Sequence, residues 1–181
     1  MRRLVLFVFF SAFSFLTYSQ NFVTEDGKAV FTSKAPLNEF DGVSQKLHGL
    51  VDLDKNLVDF YLDLNTLDTG IGLRDRHMRE NYLETDKYPF AEFTGKMLTV
   101  PDLDSGDWVA VEVEGIFKIH GKEKQIQIPG MLKKEEKGLV KLQADFEVLL
   151  GDFDIEIPKL VFYELAEKQL VHIEADLKLQ N

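Results

Sequence analysis

Strict alternation of apolar and polar residues runs through most of this chain, and it restricts the possible folds more than any other feature. Val140, Leu142, Ala144, Phe146, Val148 and Leu150 are interleaved with Lys141, Gln143, Asp145, Glu147 and Leu149. Val109, Val111, Val113, Phe117 and Ile119 are interleaved with Ala110, Glu112, Glu114, Ile116 and Lys118. Val171, Ile173, Ala175, Leu177 and Leu179 are interleaved with His172, Glu174, Asp176, Lys178 and Gln180. A strand sends successive side chains to opposite faces, so each run has one face to bury and one to leave in water. Shorter runs at 47–53, 58–64, 91–97 and 126–132, and a weaker one at 29–34, bring the expected total to about eight strands. Turn residues separate them: Asp54-Lys55-Asn56, the stretch 101–107, Gly121, and Glu135-Glu136-Lys137-Gly138. Short turns pair neighbouring strands antiparallel. One-faced strands need a second sheet or closure on themselves. The expected fold is therefore all-β, an eight-stranded antiparallel up-and-down barrel, with a two-sheet sandwich as the alternative.

Two segments leave the pattern. Ile71, Asp75, Met78 and Tyr82 fall at helical spacing, which predicts one short helix over residues 72–83 in a connecting loop. Residues 151–158 are irregular, and a helical turn or a loop fits them.

The first residues read as an export signal. Arg2-Arg3 precede an apolar run over residues 4–16, followed by Thr17-Tyr18-Ser19. That run is shorter than the roughly 20 residues a spanning helix needs, so cleavage after Ser19 is expected rather than a membrane anchor. The expected organisation is a signal peptide over 1–19 and one domain over 20–181, periplasmic or secreted, with no stable membrane insertion after cleavage. Cleavage removes Arg2 and Arg3 and no acidic residue, which moves the formal charge from −10 to −12. Such a surface repels phosphate backbones and anionic membranes, so no nucleic-acid partner is expected. With no cysteine in the chain, packing and backbone pairing alone must hold the fold.

Parity assigns the interior. Phe60, Leu62, Phe93, Met97, Phe117, Leu142, Ala144, Phe146 and Ile173 take the inward set, and these nine are the candidate ligand-contacting residues. The small residues Gly49, Ala91, Gly95, Gly115, Ala144 and Ala175 share that parity; Gly95, Gly115 and Ala144 are expected to open a tunnel. A barrel of eight strands is the size that either fills with side chains or encloses one slender ligand. Aromatic and methionine walls suit a flexible hydrocarbon. Strand glycines also mark bulges, in which case the aromatics fill a solid core, and the residues alone favour that plainer outcome.

Little in the chain points to catalysis. His48, His120 and His172 have outward parity and read as solvated strand residues, and His77 lies in the helical segment. No serine sits in a nucleophile elbow. Asp52-Leu53-Asp54-Lys55-Asn56 resembles the start of a calcium loop, but Leu57 and Asp63 stand where that loop needs glycine and glutamate, so a hairpin turn is expected. Asp102, Asp104 and Asp107 read as a surface turn. Arg74-Asp75-Arg76-His77 is the densest polar cluster, with Asp75 placed for the helix N-terminus and Arg74 for the barrel rim. No catalytic residue, metal ligand or cofactor is assigned.

The run from Thr66 to Gly95 resembles the signature region of the YceI-like lipid/polyisoprenoid-binding family. Thr66, Asp68, Thr69, Gly70, Arg74, Asp75, His77, Lys87, Tyr88, Pro89, Phe93 and Gly95 follow its pattern in order. Glu39-Phe40-Asp41-Gly42, Leu47-His48-Gly49 and residues 113–124 are similar to flanking strands of the same family. The resemblance covers essentially all of residues 20–181, with a departure over 152–165. It implies an extended, lipocalin-like barrel, a periplasmic setting, and a polyisoprenoid-type chain in a hollow interior. It carries over no catalytic residue.

The expected function is thus a non-enzymatic carrier of a long apolar lipid, of polyisoprenoid or isoprenoid-quinone type. The alternative is a filled barrel that acts as a structural or stress-response protein through surface partners. An enzyme acting on such a lipid would need an inward polar group of tuned pKa, and the inward sets contain none. A homodimer is left open.

Overall fold

The computed structural model describes residues 20–136, 138–157 and 165–180. The expected signal peptide, 1–19, lies outside the described residues, as do residues 158–164 of the segment in which the family pattern lapses. Eight antiparallel strands follow one another in sequence order and close into a barrel: β1 (Asn21–Ala35), β2 (Asn38–Asp52), β3 (Leu57–Asp63), β4 (Phe90–Met97), β5 (Val109–Ile119), β6 (Lys122–Glu135), β7 (Leu139–Leu149) and β8 (Lys168–Leu179). The ring closes through β1 and β8, with Phe31 opposite Val171 and Ser33 opposite Gln169. The up-and-down barrel is the expected fold, and the sandwich alternative is set aside.

β1 and β2 are longer than their alternation suggests. The β1–β2 register shifts on either side of Gly27. Glu25 and Asp26 are consecutive exposed residues on β1, and Gln45 and Lys46 are consecutive exposed residues on β2. A bulge adds a residue and resets the parity. Here it masks the first half of each strand from a strict period-two reading.

Between β3 and β4 the chain forms a short 3₁₀ turn (Leu64–Thr66) and the helix α1 (Gly72–His77), which widens into a π-type turn (Met78–Tyr82). Together these match the helix expected over 72–83. After β7 a 3₁₀ turn covers Leu150–Phe153. Both connections lie at the same end of the barrel, with the β1–β2 hairpin and the β5–β6 turn. That last turn is two residues, His120 and Gly121, with φ values of 52° and 72°. Positive φ at both positions is what a tight hairpin needs to match strand twist, and glycine adopts it without steric cost.

The opposite end is solid. Val51, Leu132, Val140 and Leu177 are essentially inaccessible, and Phe22 packs with them. Leu103, from the β4–β5 connection, is also buried there. Asp102 accepts the Asp104 N–H at 3.1 Å, and Lys134 holds Asp104 at 3.0 Å, which pins the loop below the barrel. The three acids of this stretch do form a surface turn, and Leu103 between them is a plug that the acidic composition conceals. Among the described residues no helix is long and apolar enough to cross a membrane.

Candidate functional site

The barrel interior holds a cavity of about 230 Å³ whose lining is almost wholly apolar. Its lower boundary is the ring of Val51, Val58, Met97, Val111 and Leu132, just above the solid end. Its sides come from the alternating faces of the strands. Its roof comes from the two irregular connections: Leu64, Leu67, Met78, Tyr82 and Leu83 from one, Leu150, Ile155 and Leu165 from the other.

All nine residues assigned inward by parity lie on this lining: Phe60, Leu62, Phe93, Met97, Phe117, Leu142, Ala144, Phe146 and Ile173. Phe117 packs edge-on against Phe146 at 5.9 Å and against Phe153 at 5.5 Å. Phe60, Leu142, Ala144, Phe146, Val171 and Ile173 are only partly buried although they point inward, because they border open space.

The tunnel expected from small residues needs correction. Ala144 and Ala91 line the cavity, but Gly95 and Gly115 do not. Those two glycines face each other across β4 and β5, and the Phe93 ring lies on them. A methyl group at Gly115 would fall 2.5 Å from the Thr94 carbonyl oxygen and 2.6 Å from Gly95 Cα. Their missing side chains let two backbones and one ring come together. The same pairing recurs where Phe60 covers Gly49 and Phe31 covers Gly42. In each case the ring lies along the wall rather than across the lumen. The glycines keep the interior hollow indirectly, by lowering the wall beneath an aromatic side chain.

The roof is held by polar contacts. Val43 and Asp68 exchange backbone hydrogen bonds at 2.9 and 3.0 Å, and the Ser44 and Thr66 hydroxyls meet at 2.6 Å. Asp75 Oδ1 accepts from the Thr69 N–H at 2.9 Å and the Thr69 hydroxyl at 2.6 Å, while Asp68 accepts the Gly70 N–H at 2.7 Å. The Asp75 carboxylate thus ties the preceding loop to the helix. Arg74 reaches the rim as expected, its guanidinium 4.1 Å above the Phe40 ring.

His120 is not the solvated residue its parity suggests. Its Nδ1 lies 3.0 Å from the Phe153 carbonyl oxygen and its Nε2 lies 3.1 Å from Glu84 Oε2. It joins the two halves of the roof. Lys87, foremost, and then His120 hold the Glu84 carboxyl below its usual value. His48 stacks on Tyr61 at 4.7 Å, and His172 bonds Asp145 at 2.7 Å on the outer wall. Residues 52–56 form a hairpin turn in which Asp52 accepts the Lys55 N–H at 2.9 Å and its ammonium at 2.8 Å. Among the described residues no three metal-binding side chains converge.

The polar and charged residues of the lining are Tyr61, Arg74, Tyr82, Glu92 and Gln169. Arg74 lies at the rim. Burial pushes the Tyr82 phenol up, which keeps it protonated. Gln169, opposite Ser33, donates to the Ala166 carbonyl at 2.5 Å, and its own carbonyl oxygen is buried without a partner among the described residues. Sequence reasoning missed Phe31, Phe40 and the roof residues. The bulges hid the parity of the first two, and roof side chains on irregular backbone have no periodicity to read.

The sequence matches the model of the YceI-like domain over residues 16–179. Among curated proteins none matches. Several solved structures share the fold. A polyisoprenoid-binding domain from Saccharophagus degradans, described as implicated in plant cell wall breakdown, superposes with a TM-score of 0.75 at 18% identity, over 90% of this chain and 99% of that one. BcnA from Burkholderia cenocepacia gives 0.68 at 14%, over 83% and 95%. The Campylobacter jejuni YceI protein gives 0.63 at 14%, over 98% and 100%.

Proposed function

Since this chain belongs to the YceI-like family, we propose that it is an exported, non-enzymatic carrier that holds a long apolar lipid of polyisoprenoid or isoprenoid-quinone type in its barrel. The observation that carries this reading is the deep interior cavity of about 230 Å³ with an almost wholly apolar lining. Left empty, such a space costs about 5 kcal/mol at about 24 cal/mol per Å³. That is comparable to the whole stability of a small domain. Water does not relieve the cost, because it needs two to four polar partners and the lining offers few. An apolar chain does relieve it, gaining about 0.8 kcal/mol per buried CH₂. A slender, flexible molecule suits a lumen walled by Phe60, Leu62, Phe93, Met97, Phe117, Leu142, Ala144, Phe146 and Ile173. The polyisoprenoid class draws support from the similar Saccharophagus degradans domain, which is polyisoprenoid-binding. Export draws support from Arg2-Arg3 and the apolar run 4–16.

Mass spectrometry of an organic extract of the purified mature protein tests the proposal. An isoprenoid lipid close to one per protein is expected, on a chain that begins at Gln20. An extract without an apolar molecule, together with no uptake of added geranylgeraniol, would favour the filled-barrel alternative.

A further inference from the structure

We propose that the lipid enters and leaves sideways, through a split in the barrel wall between β6 and β7, and that the turn Leu150–Phe153 is the flap that closes it. The inference rests on the carrier reading and adds the route which that reading needs.

The β6–β7 ladder runs from the pair Glu135–Leu139 to the pair Gly130–Ala144 and stops there. Above that pair β6 continues to Lys122 and β7 to Leu149, each still paired on its other side, with β5 and with β8. Among the described residues the stretches 122–129 and 145–149 do not pair with each other. Pro129, the first residue of β6 above the fork, has no N–H to give to a ladder. Ile128 and Gly130 on one side of the fork, and Ala144, Phe146 and Val148 on the other, all line the cavity. The split therefore leads straight into the lumen.

The wall between β2 and β3 also lacks a ladder near the roof, but it is sealed by backbone. Above the pair Leu47–Leu62, the connection before α1 takes the place of a strand. Val43 and Asp68 exchange two backbone hydrogen bonds there, and the Ser44 and Thr66 hydroxyls meet beside them.

At the β6–β7 split the closure is made by side chains. Phe153, only 2% exposed, packs on the inward Phe117 of β5 at 5.5 Å, and Phe117 meets Phe146 of β7 at 5.9 Å. Lys122 holds Asp154 at 2.7 Å, Lys124 holds Asp152, and the His120 ring lies 3.0 Å from the Phe153 carbonyl oxygen. The backbone bonds of the turn run within itself and to Glu167, next to β8; among the described residues none reaches β6. Exposed ion pairs are weak holds. Lifting this flap breaks no backbone hydrogen bond to β6, whereas lifting the α1 connection breaks the Val43–Asp68 pair. At the opposite end a lipid would have to unpack Leu132 and Leu177. The split is the least costly way in.

The chain has no cysteine, so two introduced thiols form one defined cross-link. Lys124→Cys with Asp152→Cys, joined by bismaleimidoethane, fixes the flap to β6. Val43→Cys with Asp68→Cys, oxidised to a disulfide, fixes the α1 connection to β2. Uptake and release of tritiated geranylgeraniol by the mature protein are then timed. The flap cross-link should slow both to a small fraction of the parent's rates. The α1 cross-link should leave both unchanged, and neither melting temperature should fall below the parent's. A second measurement needs no cross-link. Lys122→Glu with Lys124→Glu should speed release roughly tenfold by repelling Asp152 and Asp154, and adding Asp152→Lys with Asp154→Lys should restore it. A flap cross-link that leaves exchange at the parent's rate, an α1 cross-link that alone stops it, or a charge reversal without effect on release would overturn the gate. A parent that takes up geranylgeraniol, with flap variants that behave like it, removes only the gate. A parent without uptake or extractable lipid removes the carrier reading, and the gate with it.

Discussion

The two ends of the barrel are made from the same eight alternating strands, yet one is solid and the other hollow. At the solid end Val51, Leu132, Val140 and Leu177 meet across the axis, and Leu103 seals them from below. At the other end the inward positions include Ala91, Ala144 and rings laid along the wall over Gly42, Gly49, Gly95 and Gly115. Among the described residues no side chain fills the lumen there, and the connections around α1 and after β7 roof the space. The difference teaches that strand alternation decides what faces inward, whereas the pairing of large with small residues across neighbouring strands decides whether the inside is full. A solid end gives stability that does not depend on a ligand, and a hollow end gives capacity.

Truncation should separate the two ends most clearly. Leu177→Ala, at a position that does not border the cavity, opens a hole in a close-packed layer and should cost about 3–5 kcal/mol. Leu142→Ala only enlarges a space that already exists, so it loses transfer energy alone, roughly 1–2 kcal/mol. Denaturant unfolding of the delipidated proteins measures both. Equal costs would break the contrast between the ends.

Adding a methyl group probes the wall. Gly115→Ala meets backbone from Thr94 and Gly95 first, and then the Phe93 ring at 2.8 Å. It should cost about 1–3 kcal/mol. If the variant were neutral, the close approach of β4 and β5 would not be what seats Phe93, and thermal melts would report that directly.

The barrel, its strand order and its single short helix were legible because period two is a strong signal and the turns between strands are short. The inward set was legible for the same reason, and Phe60, Phe93, Phe117 and Phe146 fall where parity put them. The limits were also physical. The bulges around Gly27 and Gln45-Lys46 broke the alternation and concealed Phe31 and Phe40. Whether an inward glycine opens space depends on the residue across from it, and single-strand parity does not carry that; Gly95 and Gly115 were misread on this account. His120 has outward parity, but it sits in a turn of positive φ that sends its ring under the roof, a conformation the sequence does not announce.

Filling the lumen sharpens the comparison with a smaller effect on stability. Ala144 lines the cavity and faces Gly130 and Ile173 across the neighbouring strands. In a hollow barrel Ala144→Phe should occupy ligand space, reduce lipid load, and leave the melting temperature of the delipidated protein close to the parent's. In a filled barrel the same change overpacks the core and costs about 1–3 kcal/mol. Unchanged lipid load with a sharply lowered melting temperature would sink the hollow reading.

Acid should distinguish the ends in the gentlest way, because at the hollow end titratable groups hold the roof itself, whereas at the solid end Asp52 and Asp104 sit in turns outside a packed apolar layer. Lys87, foremost, and then His120 hold the Glu84 carboxyl below its ordinary value of 4.5. A depressed carboxyl contributes stability that is fully present above the ordinary value and is lost as pH falls through the lowered one. Protonated Glu84 then no longer serves as the acceptor that ties His120 to the α1 side of the roof. The packed layer of Leu132 and Leu177 contains no such group. Lowering the pH from neutrality through the carboxylate range should therefore speed lipid release before the barrel melts, and Glu84→Gln should release lipid quickly already at neutral pH. On the outer wall the sign is opposite. Asp145, through its hydrogen bond, raises the His172 pKa above 6.5. That contribution is complete below the ordinary value and fades as pH climbs through the raised one, with no effect on release because His172 points away from the lumen. Release rates of a fluorescent isoprenoid, recorded beside circular dichroism melts across both ranges, check the two signs together. Release that simply tracks global unfolding would mean that the roof and the packed end open as one unit.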